Sequence, residues 1–366
     1  MPKSVTFHVG LPKTGTTTIQ RYLRSQDEKL YSLGFLYPGP REHETMFLPR
    51  HTVMAGAMIG RAPAQSEGLD PQDCKDAVAL VFSKFRESDL ENLLWSCESM
   101  ALTAPIWDAE YLERILDGAD VRIVCFARYV DDWVESFVKE RIRGRSKARA
   151  ERLALKPLPP LAPLTGAAKD AAARPRESVL EKGAKIIEAL RIMRSKVPSA
   201  EIVVRSFDAD REKGRVVSGA LAAMGVPVEG AFPDADDEAG VKNSTKSDLY
   251  SMLLYHLVVA RAGVDVIRAV GDAGRRRDRR GMKFEPLSGR RFRFLSDENV
   301  IEARGYYEEL RQEYPDLPAQ PPFVSRPAER RLARDEGVAV LDWLRPDISD
   351  AIFDKACAAY PTDLKA

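Results

Sequence analysis

The chain reads as an α/β protein, with a parallel sheet covered on both faces by helices and helical additions towards the C-terminus. Three observations predict this. Short β-rich runs alternate with segments of helical apolar spacing as far as Met224. Two of those runs, 92–96 and 121–127, are apolar enough to be buried strands. Beyond Pro233 the pattern becomes mostly helical.

Residues 5–9 are β-rich and stop at Gly10, and the loop 11–15 leads into 16–23, where Ile19 and Leu23 stand one helical turn apart. A short strand is expected over 34–37, and 46–59 reads as a loop entering a helix. Ala77, Leu80, Val81 and Phe85 give 73–85 a helical stripe. Helices are expected at 110–116 and 133–142, flanking the strand 121–127. The composition then changes. Prolines crowd the stretch from Gly144 to Pro175 at a density that neither a helix nor a central strand accepts. We read 143–176 as a variable insertion, either a lid over an acceptor or a plain linker. A helix at 177–194, a strand at 201–206 and a helix at 214–224 follow. Helices at 247–262, 297–314 and 328–344 complete the pattern, giving a main domain over 1–315 and a C-terminal tail with a helix over 316–366.

Hydrophobic residues make up 44% of the 366 positions and charged residues 30%, with a net charge of +1. A sizeable core is possible. No global field draws the chain to nucleic acid or an anionic membrane, so no nucleic-acid partner is expected and any anion site must be local. Cys74, Cys97, Cys125 and Cys357 form no C-x-x-C pair, which points to reduced thiols rather than disulfides or a metal site. The N-terminus enters a strand without the features of a signal peptide. No run reaches the roughly 20 apolar residues of a membrane span; the longest candidate, 249–267, is broken by His256, Arg261 and Asp265. The expectation is a soluble, cytoplasmic protein with no integral membrane segment.

The strongest chemical signal is Gly10-Leu-Pro12-Lys13-Thr14-Gly15-Thr16-Thr17-Thr18. Gly10 permits a tight turn after a strand, Pro12 stiffens it, and Gly15 lets backbone N–H groups approach an anion. The helix beginning at the threonines aims its first N–H groups and its dipole at the same place. Thr16 and Thr17 add hydroxyls and Lys13 a charge. A Walker A loop has lysine directly after its second glycine. Here Thr16 holds that position, and the lysine comes two residues before Gly15.

This lysine-first loop, unbroken from Pro12 to Thr17, resembles the 5′-phosphosulfate loop of sulfotransferases that use 3′-phosphoadenosine 5′-phosphosulfate (PAPS), whose pattern is P-K-[ST]-G-[ST]-[ST]. The resemblance implies a P-loop-like three-layer sandwich, PAPS as co-substrate and no metal. It assigns Pro12, Lys13, Thr14, Gly15, Thr16 and Thr17 to the 5′-phosphosulfate. The family's second signature is an Arg at a strand end and a Ser eight residues on, both on the 3′-phosphate; Arg128 and Ser136 match it, with Val130 where the family often has Pro. The segments 204–225, 241–244 and 296–314 match more loosely. The R-K-G-x-x-G stretch of the eukaryotic cytosolic branch is missing, and Lys242 or the basic run 275–280 are its candidate substitutes.

Sulfuryl transfer needs a base for the acceptor's proton and a cation for the leaving phosphate oxygen. Lys13 is placed to be the cation. Two residues compete for the base. Glu98 follows the strand 92–96, where related enzymes carry theirs; its plainer role is a carboxylate capping a helix. His51 resembles the histidine-led helix start of bacterial relatives; its plainer role is a surface histidine. His8, inside the first strand, is expected to be a satisfied core histidine. The implied acceptor is a saccharide or other small metabolite with a hydroxyl or amine. The alternatives are a P-loop nucleotide kinase or NTPase, disfavoured for want of an acidic strand-end partner for Mg²⁺, and a non-catalytic nucleotide-binding module.

Overall fold

The computed structural model describes residues 3–39, 42, 52–60, 70–147, 179–239, 248–260, 262–282, 284–287, 293–321 and 332–360. His51, residues 148–176 of the expected insertion 143–176 and the segment 241–244 lie outside them; the first five positions of that insertion, 143–147, are instead the end of a helix that runs Val130–Lys147.

Five strands form one all-parallel sheet: β1 (Ser4–Gly10), β2 (Phe35–Leu36), β3 (Asn92–Ser96), β4 (Asp120–Ala127) and β5 (Glu201–Ser206), ordered β2-β3-β1-β4-β5. Central β1 pairs with β3, His8 opposite Ser96, and with β4, where the register shifts between His8 and Gly10. The helices are α1 (Thr16–Ser25), α2 (Asp27–Ser32), α3 (Thr52–Ile59), α4 (Pro71–Glu87), α5 (Met100–Thr103), α6 (Ala109–Leu116), α7 (Val130–Lys147), α8 (Val179–Lys196), α9 (Phe207–Glu212), α10 (Val216–Ala223), α11 (Ala235–Glu238), α12 (Asp248–Val259), α13 (Val264–Arg279), α14 (Asp297–Glu313), α15 (Arg334–Leu344) and α16 (Asp350–Ala359).

Successive strand side chains point to opposite faces, and here both faces are covered. Leu94 packs among Ile19 and Leu23 of α1 and Val217 and Leu221 of α10. Its neighbour Trp95 stacks on Phe82 of α4, ring centroids 6.2 Å apart. The chain leaves β1 towards one sheet edge and β4 towards the other. The strand order therefore reverses between β1 and β4, the place where open parallel sheets commonly carry their sites.

Local sequence explains the elements. Asp70 accepts the N–H groups of Gln72 and Asp73 at 2.7 and 2.8 Å, Asp73 accepts that of Asp70, and Pro71 takes the first helical position, so α4 starts there. Ser206 accepts the N–H of Ala209 at 3.2 Å and turns the chain from β5 straight into α9. The expected strand 201–206 is therefore followed by a helix that the sequence pattern did not disclose.

The chain divides into two compact units. The first comprises 1–129, 184–242 and 306–320 and contains the sheet. The second comprises 130–183, 243–305 and 321–366 and is helical. In the second unit, α13 and α16 were not expected. The apolar stripe of α13, Val266, Ile267 and Val270, runs on into the basic run, where Arg277 is itself buried. Tyr250 of α12 lies on Gly274 and stacks on Trp343 of α15, centroids 6.0 Å apart.

Among the described residues, no helix is long and apolar enough to cross a membrane. Cys74, Cys97, Cys125 and Cys357 are free thiols, the first three buried.

Candidate functional site: the loop after the first strand

All strand ends of a parallel sheet share one edge, and the charged residues of interest follow them in the first unit. Lys13 comes after β1, Glu98 after β3, Arg128 after β4 and Asp208 after β5.

The loop from Gly10 to Thr16 is held in a conformation ordinary residues avoid. Gly10 has φ 107°, and a Cβ there would lie 2.6 Å from the carbonyl oxygen of Glu98. Lys13 is left-handed, φ 74°, although it is not glycine. Gly15 has the same φ, and a Cβ there would press at 3.0 Å on the Phe207 ring and 3.1 Å on Val216. The Thr14 hydroxyl donates to the Leu11 carbonyl at 2.6 Å, and the Leu11 N–H to the Phe126 carbonyl at 3.3 Å. The N–H groups of Thr18 and Ile19 go to the Gly15 carbonyl at 2.9 and 3.1 Å. The N–H groups of Thr16 and Thr17 precede the first intrahelical acceptor. No side chain of the helix's own N-cap covers them, and the first turn holds no acid.

Glu98 is half-buried, and its carboxylate accepts the Thr16 hydroxyl. The carboxylate thus meets the start of α1. Gln20 of α1 donates to the Ser96 carbonyl at 3.0 Å and fixes the helix to the end of β3. His8 is wholly buried, its Nδ1 2.8 Å from the Ser96 hydroxyl. Its Nε2 makes no hydrogen bond among the described residues. Burial pushes its pKa down to about 4, so it is a neutral core histidine, satisfied on one nitrogen only.

Arg128 donates from Nη1 to the Lys13 carbonyl at 3.0 Å. The two residues expected to share a nucleotide thus touch through the loop's main chain. The guanidinium also stands 3.8 Å from the fully buried carboxylate of Asp208. Ser136 lies in α7, in the second unit, and is half-buried. His51 lies outside the described residues.

No family model and no curated protein matches the chain. The chemistry of the loop therefore stands on its own: helix-start donors that no N-cap side chain covers, two threonine hydroxyls and an early ammonium suit a compact, multiply charged anion.

The sequence pattern missed Phe207 and Asp208. The signal available was their place directly after a buried strand, at the edge where parallel sheets carry their sites. The basic run has a structural role in the second unit. Arg275 pairs with Asp272. Arg276 and Arg280 each stand 3.7 Å from Asp347, and Arg277 is buried against that carboxylate and lies over Trp343.

Proposed function

We propose that this chain is a sulfotransferase that moves the sulfuryl group of PAPS to a hydroxyl or amine of a small acceptor, such as a saccharide. The carrying observation is the loop from Pro12 to Thr17, which leads directly from a buried strand into an acid-free helix start, with Lys13 ahead of Gly15. Free buried thiols are in keeping with a reducing, cytoplasmic setting.

PAPS, when bound, supplies the sulfuryl group and a phosphate leaving group. The loop N–H groups and the hydroxyls of Thr16 and Thr17 hold its 5′ end, while Arg128 is assigned to the 3′-phosphate. As the acceptor oxygen bonds to sulfur, its proton passes to Glu98, with His51 the rival base. The sulfur–oxygen bond to phosphate breaks, and the Lys13 ammonium balances the charge that develops on that oxygen.

A metal-dependent nucleotide kinase is the second reading, favoured by the Glu98 carboxylate beside Thr16, a pairing that could hold Mg²⁺. Calorimetry separates the two. Binding of 3′-phosphoadenosine 5′-phosphate (PAP) without metal, lost in Lys13→Ala, supports the transferase. Preference for Mg-ATP over PAP overturns it.

A further inference from the structure

Lys13 holds a left-handed backbone that a side chain normally avoids, and such a conformation lasts only where its surroundings enforce it. Two adjacent residues of the β5–α9 corner bear on the loop, Phe207 directly and Asp208 through Arg128. Phe207 packs against Gly15, where a Cβ would stand 3.0 Å from its ring. Asp208, fully buried, accepts the Tyr129 N–H at 2.8 Å and stands 3.0 Å from Arg211 and 3.8 Å from Arg128. Arg128 lies over Phe207, 5.5 Å from the ring centroid, and donates to the Lys13 carbonyl.

We propose that Asp208 is a positioning residue for the anion loop: it sets the Arg128 guanidinium, which grips the Lys13 carbonyl and so directs the ammonium. This deepens the transferase reading and rests on it for the identity of the anion. It gives Arg128 a task besides the 3′-phosphate. The chain of contacts is local and directional. Asp208 is anchored from below by the Tyr129 main chain, so the guanidinium is held between a fixed carboxylate and a fixed carbonyl. Asparagine at 208 keeps an acceptor for the Tyr129 N–H but loses the charge that orients Arg128.

The test is calorimetry with PAP, with adenosine 5′-phosphate (which lacks the 3′-phosphate) and with inorganic pyrophosphate, on the wild type, Asp208→Asn, Arg128→Gln and the double variant. The expected result is a loss of about tenfold in affinity for all three anions in Asp208→Asn, a loss for all three in Arg128→Gln that is largest for PAP, and no loss in the double beyond that of Arg128→Gln. A residue that only supports the fold would lower the melting temperature and leave the affinity of the folded protein unchanged. If Asp208→Asn does not fold, Arg128→Gln, which keeps Asp208 with Arg211 and Tyr129, carries the test. Loss confined to PAP overturns the proposal, because Arg128 is then a 3′-phosphate ligand alone. Unchanged affinities in Asp208→Asn also overturn it and leave the transferase reading standing. Wild-type binding of pyrophosphate but not PAP, with the variant losses retained, sinks the transferase reading and keeps the positioning role. Binding of none of the three anions removes both.

Discussion

The hydroxyl of Thr16 donates to the carboxylate of Glu98, joining the start of α1 to the segment that follows β3. A hydroxyl has one proton to give. An anion seated in the loop would therefore compete with the Glu98 carboxylate for it.

Glu98→Gln should accordingly tighten PAP binding several-fold, since a negative group beside the anion has been removed. Thr16→Val should weaken it by about tenfold, the worth of one charge-assisted hydrogen bond. Titration calorimetry reads both. With an acceptor in hand, the same Glu98→Gln variant should turn over about 10²- to 10⁴-fold more slowly if Glu98 is the base.

Gly10→Ala should destabilise the first unit by about 2–4 kcal/mol, from a disfavoured backbone and a main-chain clash together. The clash is with the Glu98 carbonyl, 2.6 Å from the added Cβ. Gly214→Ala is the control: φ is also positive, but nothing lies within 4 Å, so the cost should be about 1 kcal/mol. Urea denaturation separates the two.

The two units should respond to acid in opposite directions. His8 has its pKa lowered from 6.5 to about 4 by burial, so the unfolded chain takes up that proton first. The first unit loses stability as pH falls from 6.5 towards 4, by on the order of 3 kcal/mol. Glu135 accepts the N–H groups of Phe294 and Leu295 at 2.9 and 2.8 Å, and burial raises its pKa from 4.5 to about 7. Its contribution is fully present below pH 4.5 and is lost as pH rises through 7, by a similar amount. Hydrogen exchange of β1 and β3 against that of α7 and 294–300 should show the two trends. His8→Asn should flatten the first, and Glu135→Gln the second.

Asp347→Asn should lower the melting temperature of the second unit strongly, because it leaves buried Arg277 without its charge partner. Removing one member of a buried pair typically costs about 3–5 kcal/mol. PAP affinity should stay unchanged. A fall in that affinity would instead return the basic run to the nucleotide site.

The strands were the most legible part of the sequence. The runs 92–96 and 201–206 match β3 and β5 residue for residue, because apolar strands bounded by polar turns leave little freedom in their ends. The loop at Lys13 was legible because glycine, proline and threonine spacing encodes its backbone. The helix α13 was hidden, since its seam ends in an arginine buried by a carboxylate that lies 70 residues further on. Asp208 was hidden for a like reason: nothing local shows that β4 delivers Arg128 beside it.

β1 is completed by residues far from it in sequence. Its flanking strands begin at Asn92 and Asp120, and the side chains that press on Gly15 come from positions 207 and 216. The loop that carries Lys13 is closed by contacts from Glu98, Phe126 and Arg128 and, at Gly15, from Phe207 and Val216. Such long-range closure slows folding, and it ties the shape of this one loop to sequence far downstream.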